Sequence, residues 1–157
     1  MITTTSTGGS NNNLSILNNS VSLAYYGMYS SGTSTGRNLN TIVTGNSFGS
    51  AVLAERLKAR GLFIGQTDGT TVSGNTVFDV INALQNIRGM EFGTGCINAT
   101  VSSNSVYNIE NTTVSTFGAG RAFSFDPGAG LGSINIVNNV AYGLKGDGST
   151  TATNNAW

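Results

Sequence analysis

Histidine is missing from this chain altogether. Ser-His-Asp and Cys-His nucleophilic systems and His metal sites are therefore excluded, and any acid-base chemistry falls to carboxylates. Charge is nearly as scarce. Seven basic and seven acidic residues cancel in a chain of 157, so no net field draws it to nucleic acid or an anionic membrane surface. Cys96 is the single cysteine, which rules out an intrachain disulfide framework and a cysteine metal site and leaves a small buried thiol as its expected role. The apolar fraction, 38%, fills one domain but is low for a compact two-layer protein. No apolar run approaches the length of a membrane-spanning helix, and MITTTSTGGSNNN at the start lacks the basic and apolar regions of a signal peptide.

What remains is Asn, Ser, Thr and Gly, arranged in repeats. Solubility supplied by uncharged polar residues suits strands and tight turns on a secreted or cell-surface protein, so an extracytoplasmic address is expected. A column of Asn motifs runs LSILNNSV (14 to 21), TIVTGNSF (41 to 48), TTVSGNTV (70 to 77), ATVSSNSV (99 to 106) and INIVNNVA (134 to 141). It breaks off as ATNNAW (152 to 157), so the chain reads as an internal fragment of a longer protein, with 1–13 an irregular start to a single domain. Asn19, Asn46, Asn75, Asn104 and Asn139 align, at spacings of 46 − 19 = 27, 75 − 46 = 29, 104 − 75 = 29 and 139 − 104 = 35. Periods of this size mark stacked-repeat architectures.

A second column lies between those motifs: YGMYS (26 to 30), RGLFI (60 to 64), RGMEF (88 to 92), RAFSF (121 to 125) and YGLKG (142 to 146). Its alternation has the period of a half-buried strand. Met28, Leu62, Met90, Phe123 and Leu144 are expected to face inward, and Tyr29, Phe63, Glu91, Ser124 and Lys145 outward. No single repeat can bury its apolar side alone, so repeats must stack, with equivalent strands pairing about 4.8 Å apart. Like residues then form ladders: Ile16, Val43, Val72, Val101 and Ile136 in one, and Val21, Phe48, Val77 and Val106 in another. The Asn column is expected at the corner between them, bonding the bend and the amides of neighbouring coils.

The combination of YGMYSSGTS, RGLFIGQTDGTTVSGNTVFDV and ATVSSNSVYNIEN resembles the right-handed parallel β-helix repeat family, the pectate-lyase-like solenoids, and in style the Asn- and Thr-rich surface and secreted β-helix proteins of bacteria. The resemblance runs from about Leu14 to Trp157. It implies an all-β solenoid of about five coils. In that family, carboxylates clustered on an outward strand face hold calcium or flank a glycosidic bond, and neither arrangement maps onto this sequence.

Three segments depart from the common coil. SAVLAERLKAR (50 to 60) and VINALQNIR (80 to 88) have the spacing of short helical excursions, and ENTTVSTFGAG (110 to 120) reads as a loop. The expected inserts are 49 to 59, 78 to 87 and 107 to 120, projecting from one side, where loops on a rigid scaffold build binding surfaces.

The site candidates are few. Glu91 stands alone in the outward column, as a solubilising surface charge does. Arg60, Arg88 and Arg121 form a column that would bind an acidic glycan or phosphate, or else bury their stems and offset Glu55, Glu91 or Glu110. Asp68, Asp126 and Asp147 each sit beside a Gly or Pro, the setting of a turn cap, which leaves calcium a minor candidate and no other cofactor implied. The outward positions Ser15, Ile42, Thr71, Thr100 and Asn135 are too irregular for an ice-binding face. The expected function is a structural or adhesive module, with Tyr29, Phe63, Glu91, Arg60, Arg88 and Arg121 as a ligand face for carbohydrate or another surface protein. End-to-end self-association through uncapped coils is expected as well. The alternative is a fragment of a polysaccharide lyase or glycoside hydrolase whose catalytic carboxylates lie elsewhere.

Overall fold

A computed structural model describes residues 2–3, 11–83, 86–112, 120–128 and 133–146. It is all-β, with parallel strands in stacked sheets and no α-helix among the described residues. Four sheets recur in a fixed order along the chain. One holds Tyr26–Ser31, Arg60–Gly65, Arg88–Phe92 and Arg121–Phe125, edged by Ile2–Thr3 on Ser30 and Ser31. A short sheet of Asn38–Leu39, Thr67–Asp68 and Cys96–Ile97 follows. Next comes a sheet of Ser15–Leu17, Ile42–Thr44, Thr71–Ser73, Ala99–Ser102 and Ile134–Val137. After the corner comes a sheet of Ser20–Val21, Ser47–Phe48, Thr76–Asn82, Ser105–Asn111 and Val140–Tyr142.

Every pairing joins a strand to its equivalent one repeat away, in the register of the sequence ladders. Ile16, Val43, Val72, Val101 and Ile136 are successive partners, as are Val21, Phe48, Val77, Val106 and Ala141. Val43, Val72, Val101, Val77 and Val106 are fully buried, each contributing on the order of 1.5–3 kcal/mol. They pack against Leu62, Ile64, Met90 and Phe92 from the first sheet. The small residue after each Tyr or Arg has a steric cause. A Cβ on Gly61 would lie 2.2 Å from Val77 Cγ1, and one on Gly89 2.3 Å from Val106 Cγ1.

The Asn column forms a directional ladder that ties three rungs at a time. Asn46 donates its backbone N–H and its Nδ2 to Asn75 Oδ1, both at 2.9 Å, and donates its other Nδ2 hydrogen to Ile16 O at 2.8 Å on the rung before. Asn75 repeats this to Asn104 Oδ1 and Val43 O, and Asn104 to Asn139 Oδ1 and Val72 O. Asn46, Asn75 and Asn104 are each 1% exposed, a burial that only fully bonded amides sustain. The left-handed backbone of the corner, however, belongs to the residue before each ladder Asn: Asn18, Gly45, Gly74, Ser103 and Asn138 have φ of 55°, 69°, 61°, 54° and 54°. Those positions hold Gly, Asn or Ser, of which Gly and Asn tolerate that region best.

The departures from the coil are smaller than the sequence suggests. Residues 50–60 contain a single 3₁₀ turn, Leu53–Glu55, and no longer helix. The segment then runs back along 23–25, with Lys58 N–H on Ala24 O and Ala59 N–H on Tyr25 O, which buries Leu57 completely. The second and third inserts begin later than 78 and 107, because Thr76–Asn82 and Ser105–Asn111 continue as paired strands through Asn82 and Asn111. Inward Val80 and Ile109 hold them there, so over 80–82 the helical spacing is overridden by strand burial. Residues 84–85 and 113–119, Asp147 and the last Asn pair lie outside the described residues. Tyr142 and Lys145 also leave their expected column. Tyr142 pairs Tyr107 and Lys145 pairs Glu110, because only two residues, Val140 and Ala141, separate Asn139 from Tyr142.

Candidate functional site

The outward side of the first sheet brings the expected face together. Tyr26, Arg60, Arg88 and Arg121 are successive partners, and three residues on in each strand so are Tyr29, Phe63, Glu91 and Ser124. Tyr29 and Phe63 stack at 4.8 Å with planes 14° apart, and Tyr26 meets Tyr29 edge-on at 5.6 Å. Phe63 lies over glycine, since a Cβ on Gly65 or Gly93 would come within 3.1 Å or 2.9 Å of its ring. The Arg60 guanidinium sits 5.1 Å from the Tyr26 ring centroid and 5.9 Å from that of Phe63, and Arg60 Nη1 donates to the Tyr26 hydroxyl.

Glu91 is not the free surface charge its isolation in sequence implies. Its Oε2 pairs with Arg60 Nε and its Oε1 with Arg88 Nη1, and its side chain is only 10% exposed. The physical reason is stacking, since a carboxylate placed one rung from Arg60 and three residues from Arg88 comes within ion-pair reach of both guanidinium groups. Burial lowers the Arg88 pKa, Glu91 opposes that shift, and Arg60 and Arg121 add to it. Arg121 has no ion pair with any described residue. The face therefore presents three aromatic rings, Tyr26, Tyr29 and Phe63, and the Arg121 guanidinium beside a buried Arg-Glu-Arg bridge.

A second arrangement went unread in the sequence. Arg56, Asp79, Asn108, Glu110 and Lys145 line a pocket of about 210 Å³ on the outward side of the fourth sheet. Asp79 and Asn108 both take positive φ, 53° and 54°, and Asn108 Nδ2 donates to Asp79 Oδ1 at 3.0 Å. Glu110 and Lys145 are directly opposed strand partners. None of these four charges lies within 4.0 Å of an opposite one, although each has such a neighbour at the rim. The signal for the site was present, as Asp79, Asn108 and Gly143 each follow an aromatic of one stacked column, Phe78, Tyr107 and Tyr142. The contribution of Arg56 from a separate segment was not legible.

Elsewhere, Asp68 lies in a strand and accepts from Asn98 Nδ2 at 2.8 Å, and Cys96 is buried beside Thr67 Oγ1 at 3.5 Å. Among the described residues no three His, Cys, Asp or Glu side chains gather as a metal site would require. Compared with known protein families, curated proteins and solved structures, the chain matches none.

Proposed function

We propose that the chain is a right-handed parallel β-helix of about five coils, a rigid structural or adhesive module of a secreted or cell-surface protein, presenting its first sheet for contact with carbohydrate or a partner surface. The observation that carries this reading is the unbroken register of the outward face. Ladders of identical geometry, bonded rung to rung by buried amides, make a stiff support, and stacked Tyr29 and Phe63 rings on it suit the faces of sugars. Arg121, two strands further along the same sheet, supplies guanidinium donors that no described carboxylate pairs. Glu91 has a structural role, holding Arg60 and Arg88, and no acid-base function is assigned to it.

A glycan array probed with the chain and with Phe63→Ala tests the reading. Glycan signals lost in Phe63→Ala are expected, and depolymerisation of uronic-acid polymers by the chain would overturn the proposal in favour of an enzyme. End-to-end association belongs to the same proposal, since Ile136 and Val140 are 51% and 55% exposed on the outermost described rung. Monodisperse monomer in concentrated solution would refute that part.

A further inference from the structure

The 210 Å³ pocket of the fourth sheet brings together four of the fourteen charged side chains. Rung order fixes their sequence in space. Asp79 and Glu110 stand on adjacent paired strands, Lys145 on the strand beyond Glu110, and Arg56 comes from the segment that precedes them. The two acids are thus inner and the two bases outer. A solvated set of surface charges at such spacing would close on itself, as Arg60, Arg88 and Glu91 do on the first sheet. Here it does not: Arg56, Asp79, Glu110 and Lys145 line one pocket and form no ion pair within 4.0 Å among the described residues.

From this geometry we infer that the pocket binds a small zwitterion of the free α-amino acid class, its ammonium between Asp79 and Glu110 and its carboxylate on Arg56. An anion is repelled by the inner acids and a cation by the outer bases. A neutral polyol leaves all four charges uncompensated. A molecule carrying both charges a few bonds apart satisfies the set, and the volume is below the ~300 Å³ at which pockets for drug-sized ligands begin. Asn108, held by Asp79, fixes that carboxylate in place.

The test is isothermal titration calorimetry with L-serine as probe, beside N-acetyl-L-serine, L-serine methyl ester and glucose. Saturable L-serine binding is expected. The acetylated and esterified forms, each lacking one charge, should bind roughly tenfold or more weakly, which is the loss of one charge-assisted hydrogen bond. Arg56→Gln should weaken L-serine to the same degree with an unchanged circular dichroism spectrum, and Glu110→Gln serves if that variant does not fold. The proposal is overturned if glycine, L-alanine and L-serine all give no saturable heat at millimolar concentration. Binding that survives both substitutions, or glucose binding as tightly as serine, overturns it too.

Discussion

Replacing Asn75 by Ala removes the centre of the ladder, and the structure allows the loss to be itemised. Asn75 Oδ1 is the acceptor for the backbone N–H of Asn46, which is buried and has no other partner at the corner. Asn75 Nδ2 is a donor to Val43 O, also buried. The Asn46 side chain, by contrast, keeps Ile16 O and Thr44 O. The Asn46 N–H is orphaned at about 1–3 kcal/mol, while Val43 O loses its second donor and keeps its place in the strand ladder, so Asn75→Ala should cost about 1–3 kcal/mol. For a chain of this size that corresponds to a fall in melting temperature of roughly 2–12 °C. Asn19→Ala is the matched control. Asn19 lies exposed at the first rung, and no described backbone group depends on its Oδ1, so about 1 kcal/mol or less is expected. Asn75→Asp keeps the shape and the acceptor but sets a carboxylate oxygen against Val43 O and Asn104 Oδ1, and should be no milder than the Ala variant. Urea unfolding followed by circular dichroism decides. Equal stabilities for the Asn75→Ala and Asn19→Ala proteins would refute the ladder argument.

Glu91→Gln leaves two guanidinium groups, 17% and 16% exposed, without their counter-charge and should cost about 3 kcal/mol or more, read as a lower urea midpoint; an unchanged midpoint would show the bridge to be energetically idle. Gly61→Ala forces a Cβ into Val77 and should destabilise by about 1–3 kcal/mol through overpacking. Gly74→Ala meets nothing within 4 Å and bears only the left-handed backbone cost of about 1–2 kcal/mol, so it should retain a native circular dichroism spectrum with the core packing intact. Cys96 has its thiol pKa raised, by burial first, with the Thr67 hydrogen bond opposing. Because the folded value lies above the unfolded value of about 8.5, the thiol's contribution is full below that pH and is lost as pH rises through the folded value. Stability should therefore fall on the alkaline side in wild type and fall less in Cys96→Ala, measured by urea midpoints from pH 7 upward on the scale of that titration.

The repeat was legible in the sequence because its period is set locally. Alternating apolar residues and a recurring Asn state which side chains face inward and where each corner falls, and the observed register follows them from Ile16 to Ile136. The corner was read from the Asn column, and the left-handed residue proves to be the one before each Asn, Gly45 and Gly74 among them. What each residue meets on a different rung was not legible. Glu91 was named in sequence both as a lone surface charge and as one of three acids the Arg column would offset, and only stacking selects it, by bringing Arg60, on a strand partner some 28 residues away, against it beside Arg88. Lys145 aligned by motif with one strand and pairs with another, since two residues cannot carry the chain from Asn139 around to the first sheet. Local periodicity thus determined the register of the parallel strands and their inward face. Only tertiary stacking decided which charges meet, because the energy of a charge depends on neighbours that the sequence places tens of residues away.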